Sequence, residues 1–370
     1  MATEFCRRAG VENPIVAFSH CRDVVAAVTQ AGGMGVLGAA HFTPAELEVE
    51  LSWIDDQVNG LPYGVDVLVP ALGVGDDDSS GTPDLASQIP QEYWNFVEHL
   101  AERYEVPPAT GGAEPVEFSG IVVSRRNLDE QVEVTLRHPV RFLVSGLGPF
   151  PAEIVQRAKA KDVLIGGMSG SVKHAHRHVA AGADVIIAQG AEAGGHTGET
   201  STLVLVPQVV DAVAPVPVLA AGGIATGRQL AAVLALGAQG AWMGSTWLTT
   251  HESDANPILV DKMLAAQSTQ TIRTRCVTGK PVRLLRTEFE EAWAAPDAPK
   301  PLPAPLQGTL VRPLITRIFQ NKVTPLMGHP VGQAVGLMNK RQTCRAVVEE
   351  LMTGLVESLE QLRSELGVDD

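Results

Sequence analysis

The chain has 370 residues, more than one compact core usually holds, so a large α/β barrel with additions, or a barrel plus a small second domain, fits its length. Forty-two acidic against 28 basic residues give a net charge of −14, which disfavours nucleic acid, because phosphate neutralisation needs a concentrated basic face. Apolar residues make up 45% of the chain, yet no run reaches the ~18 of a membrane span, so a soluble protein with no membrane partner is expected.

The first residues, Met-Ala-Thr-Glu-Phe-Cys-Arg-Arg, lack the apolar stretch of a secretory signal. Cys6, Cys21, Cys276 and Cys344 lie far apart, without zinc-ligand or redox-motif spacing. They read as reduced thiols of a cytoplasmic protein. Short β-branched runs then alternate with alanine-rich helical stretches. The pattern predicts eight strands, at 15–18, 35–38, 64–69, 141–145, 163–167, 184–188, 216–220 and 240–243. Helices are predicted between them at 22–31, 44–57, 127–137, 151–160, 171–181, 204–213 and 226–236, with the eighth at 255–266. Eight parallel strands in right-handed βα order most simply close into a (β/α)8 TIM barrel, with an open doubly wound sheet as the alternative.

Two segments fall outside this repeat. Residues 71–126, between the third strand and its helix, carry a net charge of −7 and a predicted helix at 90–105. Tyr93, Val97, Leu100 and Tyr104 lay an apolar stripe along that helix. An excursion after a barrel strand lies on the active-site face, so a lid over the substrate entrance is expected, against a purely surface insertion. Residues 268–370 pass through a proline-rich stretch and end in an amphipathic helix at about 343–366. The expected organisation is therefore a barrel domain, 1–267, and a small C-terminal helical cap subdomain, 268–370.

The chemistry concentrates in three loops. Gln189-Gly-Ala-Glu-Ala-Gly-Gly-His-Thr-Gly198 follows the sixth strand and places one imidazole in a glycine-rich loop. Such a histidine can lie against a ligand and exchange protons near neutral pH. Ala220-Ala-Gly-Gly-Ile-Ala225 follows the seventh strand, and Met243-Gly-Ser-Thr-Trp247 the eighth. Paired glycines at a helix start and added hydroxyls suit a phosphate, and loops after strands seven and eight are the usual phosphate site of such barrels. A ligand with a phosphate at one end and a flat reactive portion at the other, such as flavin mononucleotide (FMN), meets this description. No dinucleotide fingerprint follows any strand.

QGAEAGGHTG, AAGGIATG and GAQGAWMGSTWL closely resemble the nitronate monooxygenases, long called 2-nitropropane dioxygenases, which are FMN-dependent TIM barrels. Asn13-Pro-Ile-Val, Ala31-Gly-Gly-Met-Gly-Val-Leu-Gly, Tyr63-Gly-Val-Asp-Val-Leu-Val-Pro and Thr278-Gly-Lys-Pro-Val-Arg are also family-like, whereas the insertion is not. The resemblance implies that His196 is the catalytic base and that Gln189, Gly194 and Gly195 line the flavin. It implies that Gly222, Gly223, Gly244, Ser245 and Thr246 hold the phosphate, with Met243 near the ring or ribityl chain. Asp66 stands where the family usually has asparagine, and an ionised carboxylate cannot donate a hydrogen bond. The first strand departs from the family, and Ala17, Phe18 and Ser19 are the expected flavin wall there. The implied reaction takes a nitronate or nitroalkane and O2 to a carbonyl compound and nitrite.

Glu192 is expected as a solvated loop carboxylate rather than a residue that orients the loop. His20 is weighed as a flavin neighbour against a packing residue. His174 and His178 share a helix face but His176 points away, so a solvated exterior helix is favoured over a metal site, and no metal is expected. The Glu-Ala-Gly-Gly-His loop also resembles that of flavin-dependent enoyl reductases acting on thioesters with NAD(P)H. A non-catalytic FMN-binding barrel is the third reading.

Overall fold

The computed structural model describes residues 3–69, 85–109 and 124–367. Its strands are β1 (Ile15–Ser19), β2 (Met34–Gly38), β3 (Gly64–Val67), β4 (Phe142–Ser145), β5 (Leu164–Ser169), β6 (Val185–Gln189), a short β7 (Gly195–His196), β8 (Val218–Ala221) and β9 (Gly240–Met243). All but β7 form one closed parallel barrel, in which β9 pairs back onto β1. This is the expected (β/α)8 architecture. The helices up to β9 are α1 (Glu4–Ala9), α2 (Arg22–Gln30), α3 (Pro44–Val58), α4 (Gln91–Arg103), α5 (Arg125–Thr135), α6 (Ala152–Lys159), α7 (Val172–Ala180), α8 (Thr202–Val213) and α9 (Gly227–Ala235).

Strand alternation divides the core in two. Val16, Val36, Val144, Ile187, Leu219 and Trp242 face the barrel interior. Ile15, Ala17, Leu37, Val65, Leu143 and Ile186 face the helices. The floor is closed by α1, whose Phe5, Cys6 and Ala9 bury among the interior residues. Hydrogen bonds strap α1 to the strand starts: Thr3 Oγ1 donates to Gln239 O at 2.7 Å and Arg8 Nη1 to Asp184 O at 3.1 Å.

On the outside, α2 lies directly on β2. A Cβ at Gly35 would sit 2.2 Å from Val25 O and 2.6 Å from Val25 Cα, so only glycine allows this approach. Gly35→Ala is expected to destabilise the fold by at least about 2 kcal/mol through overpacking. An unchanged denaturant midpoint would contradict this contact.

The eighth outer helix differs from expectation. Residues 255–266 do form a helix, α10 (Pro257–Ala265), but Leu259, Val260 and Met263 bury in a second core away from the barrel. That core is built with β10 (Thr271–Thr274), β11 (Val282–Leu285), α11 (Glu288–Trp293) and α12 (Leu306–Gln320). The final helix, α13 (Cys344–Leu366), returns to the barrel and packs between α9 and α2, burying Val347, Val348, Leu351 and Leu355 in the outer core. Thr250 bridges Gln342 where the chain leaves the barrel and comes back. The cap therefore begins soon after Thr249 rather than at 268, inserted between a strand and its own helix.

The described part of the insertion also belongs to this cap. Val97, Leu100 and Ala101 of α4 join its core, and Phe96 meets Trp293 edge-on at 4.8 Å. Arg317 ties the segment down by donating to Val106 O at 2.7 Å and Pro107 O at 2.9 Å. The rest of the expected lid, 71–84 and 110–123, lies outside the described residues.

Candidate active site

A cavity of about 440 Å3 lies between the C-terminal mouth of the barrel and the cap, a size typical of small-molecule sites. Phe18, Ser19, Asp66, Gln189, Gly194, Gly195, His196, Gly222, Gly223, Met243, Gly244 and Ser245 all border it. Ala17 does not, because alternation along β1 turns it into the outer core. The side chain of Met243 likewise joins that outer core, although the residue borders the cavity. Thr246 is buried with its hydroxyl 3.5 Å from Ile224 O. It borders a separate open groove of about 620 Å3 beside α9 and α13.

The loops after β8 and β9, expected to cradle a phosphate, both open onto the cavity. Gly222 (φ +99°) and Gly223 (φ +74°) turn the chain consecutively through the left-handed region. A Cβ at Gly222 would also lie 3.0 Å from Ala193 N and 3.1 Å from Gly190 O. Gln229 fixes the loop by taking Gly223 O with its amide and accepting from Ala225 N and Thr226 N. Among the described residues the N–H groups of Gly223 and Gly244 meet no backbone acceptor outside the strand ladders. Unclaimed backbone donors beside a helix start are what an anion needs. Ser245 Oγ accepts from Gly332 N at 2.8 Å and keeps its own proton to donate. The residues present thus fit a phosphate-bearing cofactor.

His196 is not on a free loop. As part of β7 it pairs antiparallel with Val282 of β11, while Gly195 pairs with Arg283, so the segment extends the β10–β11 hairpin of the cap. Its Nδ1 lies 3.0 Å from Pro281 O. A carbonyl only accepts, so Nδ1 carries the proton and Nε2 is left with a lone pair. One edge of the imidazole is open, but the surrounding walls lower its pKa below the usual value. Burial is the larger cause and Lys280 adds to it, while the bond to Pro281 works the other way.

Glu192 is not a solvated carboxylate. Its oxygens accept from Thr202 N at 2.9 and 3.1 Å and from Thr202 Oγ1 at 3.0 Å, capping α8 where Ser201 provides no side-chain cap. Its backbone carbonyl accepts from Gln333 N at 2.8 Å. At Gly194 a Cβ would lie 2.8 Å from Gly332 N, so the cap rests on bare backbone there. His20 borders the cavity, with Nδ1 2.8 Å from Gly38 O and its ring edge-on to Phe18 at 5.2 Å. His178, placed on a solvated helix by sequence, is instead buried against Gly167, where a Cβ would lie 2.2 Å from Nδ1.

The residues that sequence reading missed come from the cap. Arg283 Nε donates to Ala191 O at 2.9 Å, and Arg273 Nη2 reaches Thr197 O at 3.4 Å, bracketing the imidazole. Arg283→Ala is expected to lower kcat about tenfold by loosening the loop, with cofactor affinity changed less than about threefold, because the glycine loops suited to a phosphate follow other strands. Equal loss of both would show that the arginine supports the whole site. Glu290 borders the cavity from α11, where burial raises its pKa to about 7. Only its spacing from Thr287 in Thr-Glu-Phe-Glu hinted at a capping role.

A family model for nitronate monooxygenases matches residues 10–354. A Mycobacterium tuberculosis protein, whose name as a monooxygenase is provisional, is 46% identical over 98% of this chain and 99% of its own. Among solved structures, a nitroalkane oxidase from Streptomyces ansochromogenes superposes with a TM-score of 0.79 at 29% identity, covering 95% of this chain and 98% of that one. FabK from Thermotoga maritima superposes with a TM-score of 0.74 at 26% identity, covering 99% of both chains. No described helix is long and apolar enough to cross a membrane. With the barrel, the cradle loops and the histidine strand in place, the chain belongs to the nitronate monooxygenase family and is a flavin-dependent oxidoreductase.

Proposed function

We propose that the protein is an FMN-dependent nitronate monooxygenase that uses His196 as its base. The observation that carries this is the imidazole itself: its Nδ1 is committed to Pro281 O and Nε2 is left to accept, on a cavity that also holds the phosphate cradle. Gly222, Gly223, Gly244 and Ser245 would hold the phosphate. Gln189, Gly194, Gly195, Phe18, Ser19 and Asp66 would border the rest of the cofactor. Bound there, FMN supplies electron transfer between a nitronate and O2.

The chain's own residues do the remaining work. Nε2 of His196 takes the α-proton of a neutral nitroalkane, and Pro281 O steadies the imidazolium through Nδ1–H. Phe18, stacked on Trp242 with centroids 5.8 Å apart, gives the mouth an apolar wall that keeps water from the reacting carbon. The cap closes the other side with Val277, Leu284, Phe289, Ile318 and Leu326, an apolar ceiling suited to an alkyl group.

The test is a purified, spectrally characterised protein assayed for oxygen uptake and nitrite release with a panel of alkyl nitronates and nitroalkanes. Turnover with both readouts supports the proposal. The apolar ceiling also favours a second reading, an enoyl-thioester reductase. Rapid anaerobic bleaching of the flavin by NADH or NADPH, with crotonyl-thioester turnover and no nitrite, would establish that reading instead.

A further inference from the structure

Asp66 ends the inner face of β3 at the barrel mouth, paired with Gly38 on one side and Val144 on the other. Its side chain borders the cavity, the residue is 5% exposed, and Oδ2 meets no hydrogen-bond partner among the described residues. Gly146 leaves the carboxyl uncrowded, since a Cβ there would press to 3.1 Å from Oδ1. His20, His41, His196, His329, Asp254 and Glu290 share the cavity. None of them, and no lysine or arginine, contributes to the state of Asp66, which burial alone pushes toward the protonated form. A buried carboxyl with no charged partner, and no donor to Oδ2 among the described residues, is far cheaper to hold neutral than charged. A neutral carboxyl gains what a carboxylate lacks, one O–H donor. The β8 and β9 loops hold the phosphate end of the cavity, and β3 lies three strands round from β9. A ligand anchored at those loops and spanning the cavity would bring its far end to Asp66.

We propose that Asp66 donates a hydrogen bond through an Oδ2 hydroxyl to a ring heteroatom of the bound flavin and so positions the ring. This rests on the FMN reading above, and its test separates the two. FMN content and absorbance of the purified protein come first: a colourless protein that takes up no FMN defeats that reading, and the Asp66 proposal with it.

If the protein binds FMN, Asp66→Asn and Asp66→Leu are compared with wild type by FMN dissociation, followed through flavin fluorescence, and by flavin absorbance from pH 5 to 8. An amide keeps a donor, so Asp66→Asn is expected to hold FMN within about twofold of wild type. Asp66→Leu removes the donor while filling the space, and is expected to weaken binding about three- to tenfold. Wild-type absorbance should change with pH no more than that of Asp66→Asn. The proposal is overturned if Asp66→Leu binds as tightly as wild type, if Asp66→Asn loses tenfold or more, or if wild type alone shows a spectral transition between pH 5 and 8. The last comparison needs only wild type and the conservative variant, so a misfolded leucine variant does not protect the proposal.

Discussion

Replacing His196 with asparagine is expected to lower kcat/KM for neutral nitroalkanes by about 10²–10⁴-fold, the range of a positioned general base. Preformed nitronates have already lost the α-proton, so their oxidation should fall far less. Asparagine suits the comparison because its amide can still donate to Pro281 O, which now accepts from His196 Nδ1 at 3.0 Å. The pairing of β7 with β11 runs through backbone and survives the change. What disappears is the basic nitrogen.

The pH dependence has a defined sign. Burial and Lys280 lower the imidazole pKa, so the basic form persists below the usual histidine value near 6.5. Activity toward neutral nitroalkanes should hold to that lower pH, fall as pH drops through the shifted pKa, and lose this acid limb in the variant. Oxygen uptake at several pH values, with nitroalkane and nitronate forms of one compound, measures both effects. Equal losses on the two forms would make His196 a positioning residue, and undiminished nitroalkane turnover would remove it from the mechanism.

The barrel was legible because each strand is a short apolar run ended by glycine or a polar turn, and because eight such runs leave few closed arrangements. The candidate cradle stood out because a glycine pair, Gly222-Gly223, and a Gly244-Ser245-Thr246 run follow two consecutive barrel strands, a pattern with few other uses. The eighth helix was misassigned for a physical reason. Leu259, Val260 and Met263 form a face that any apolar core accepts, and sequence order gave no sign that a whole cap intervenes before Cys344–Leu366. Plug helix α1, with three apolar positions in six residues, is too short for periodicity to register. The support of the histidine loop was hidden for a related reason: Arg283, Arg273 and Pro281 lie 76–92 positions from the residues they hold. Glu192 looked like a solvated charge until the fold brought Thr202 to it.

Glu290→Gln is expected to stabilise the protein by about 3 kcal/mol at pH 8 and by much less at pH 5. The carboxyl is 3% exposed, and burial lifts its pKa from 4.5 to about 7 against the opposing bonds from Thr287. In the unfolded chain it ionises near 4.5; folded, it keeps its proton until about 7. Between those values the folded protein holds the extra proton, so stability that is complete below 4.5 is lost as pH rises through 7. Glutamine cannot ionise and escapes the loss. Its carbonyl oxygen still accepts from Thr287 N–H, now 2.8 Å from Glu290 Oε2, so the start of α11 keeps its cap. Denaturant unfolding of both proteins at pH 5 and pH 8 isolates this residue, because every other titrating group is common to the pair. A gap in stability that is the same at both pH values would mean that Glu290 ionises alike in the folded and unfolded chains. The carboxylate on the cavity ceiling would then be charged across the working range, and the apolar pocket would hold a fixed negative charge facing the substrate.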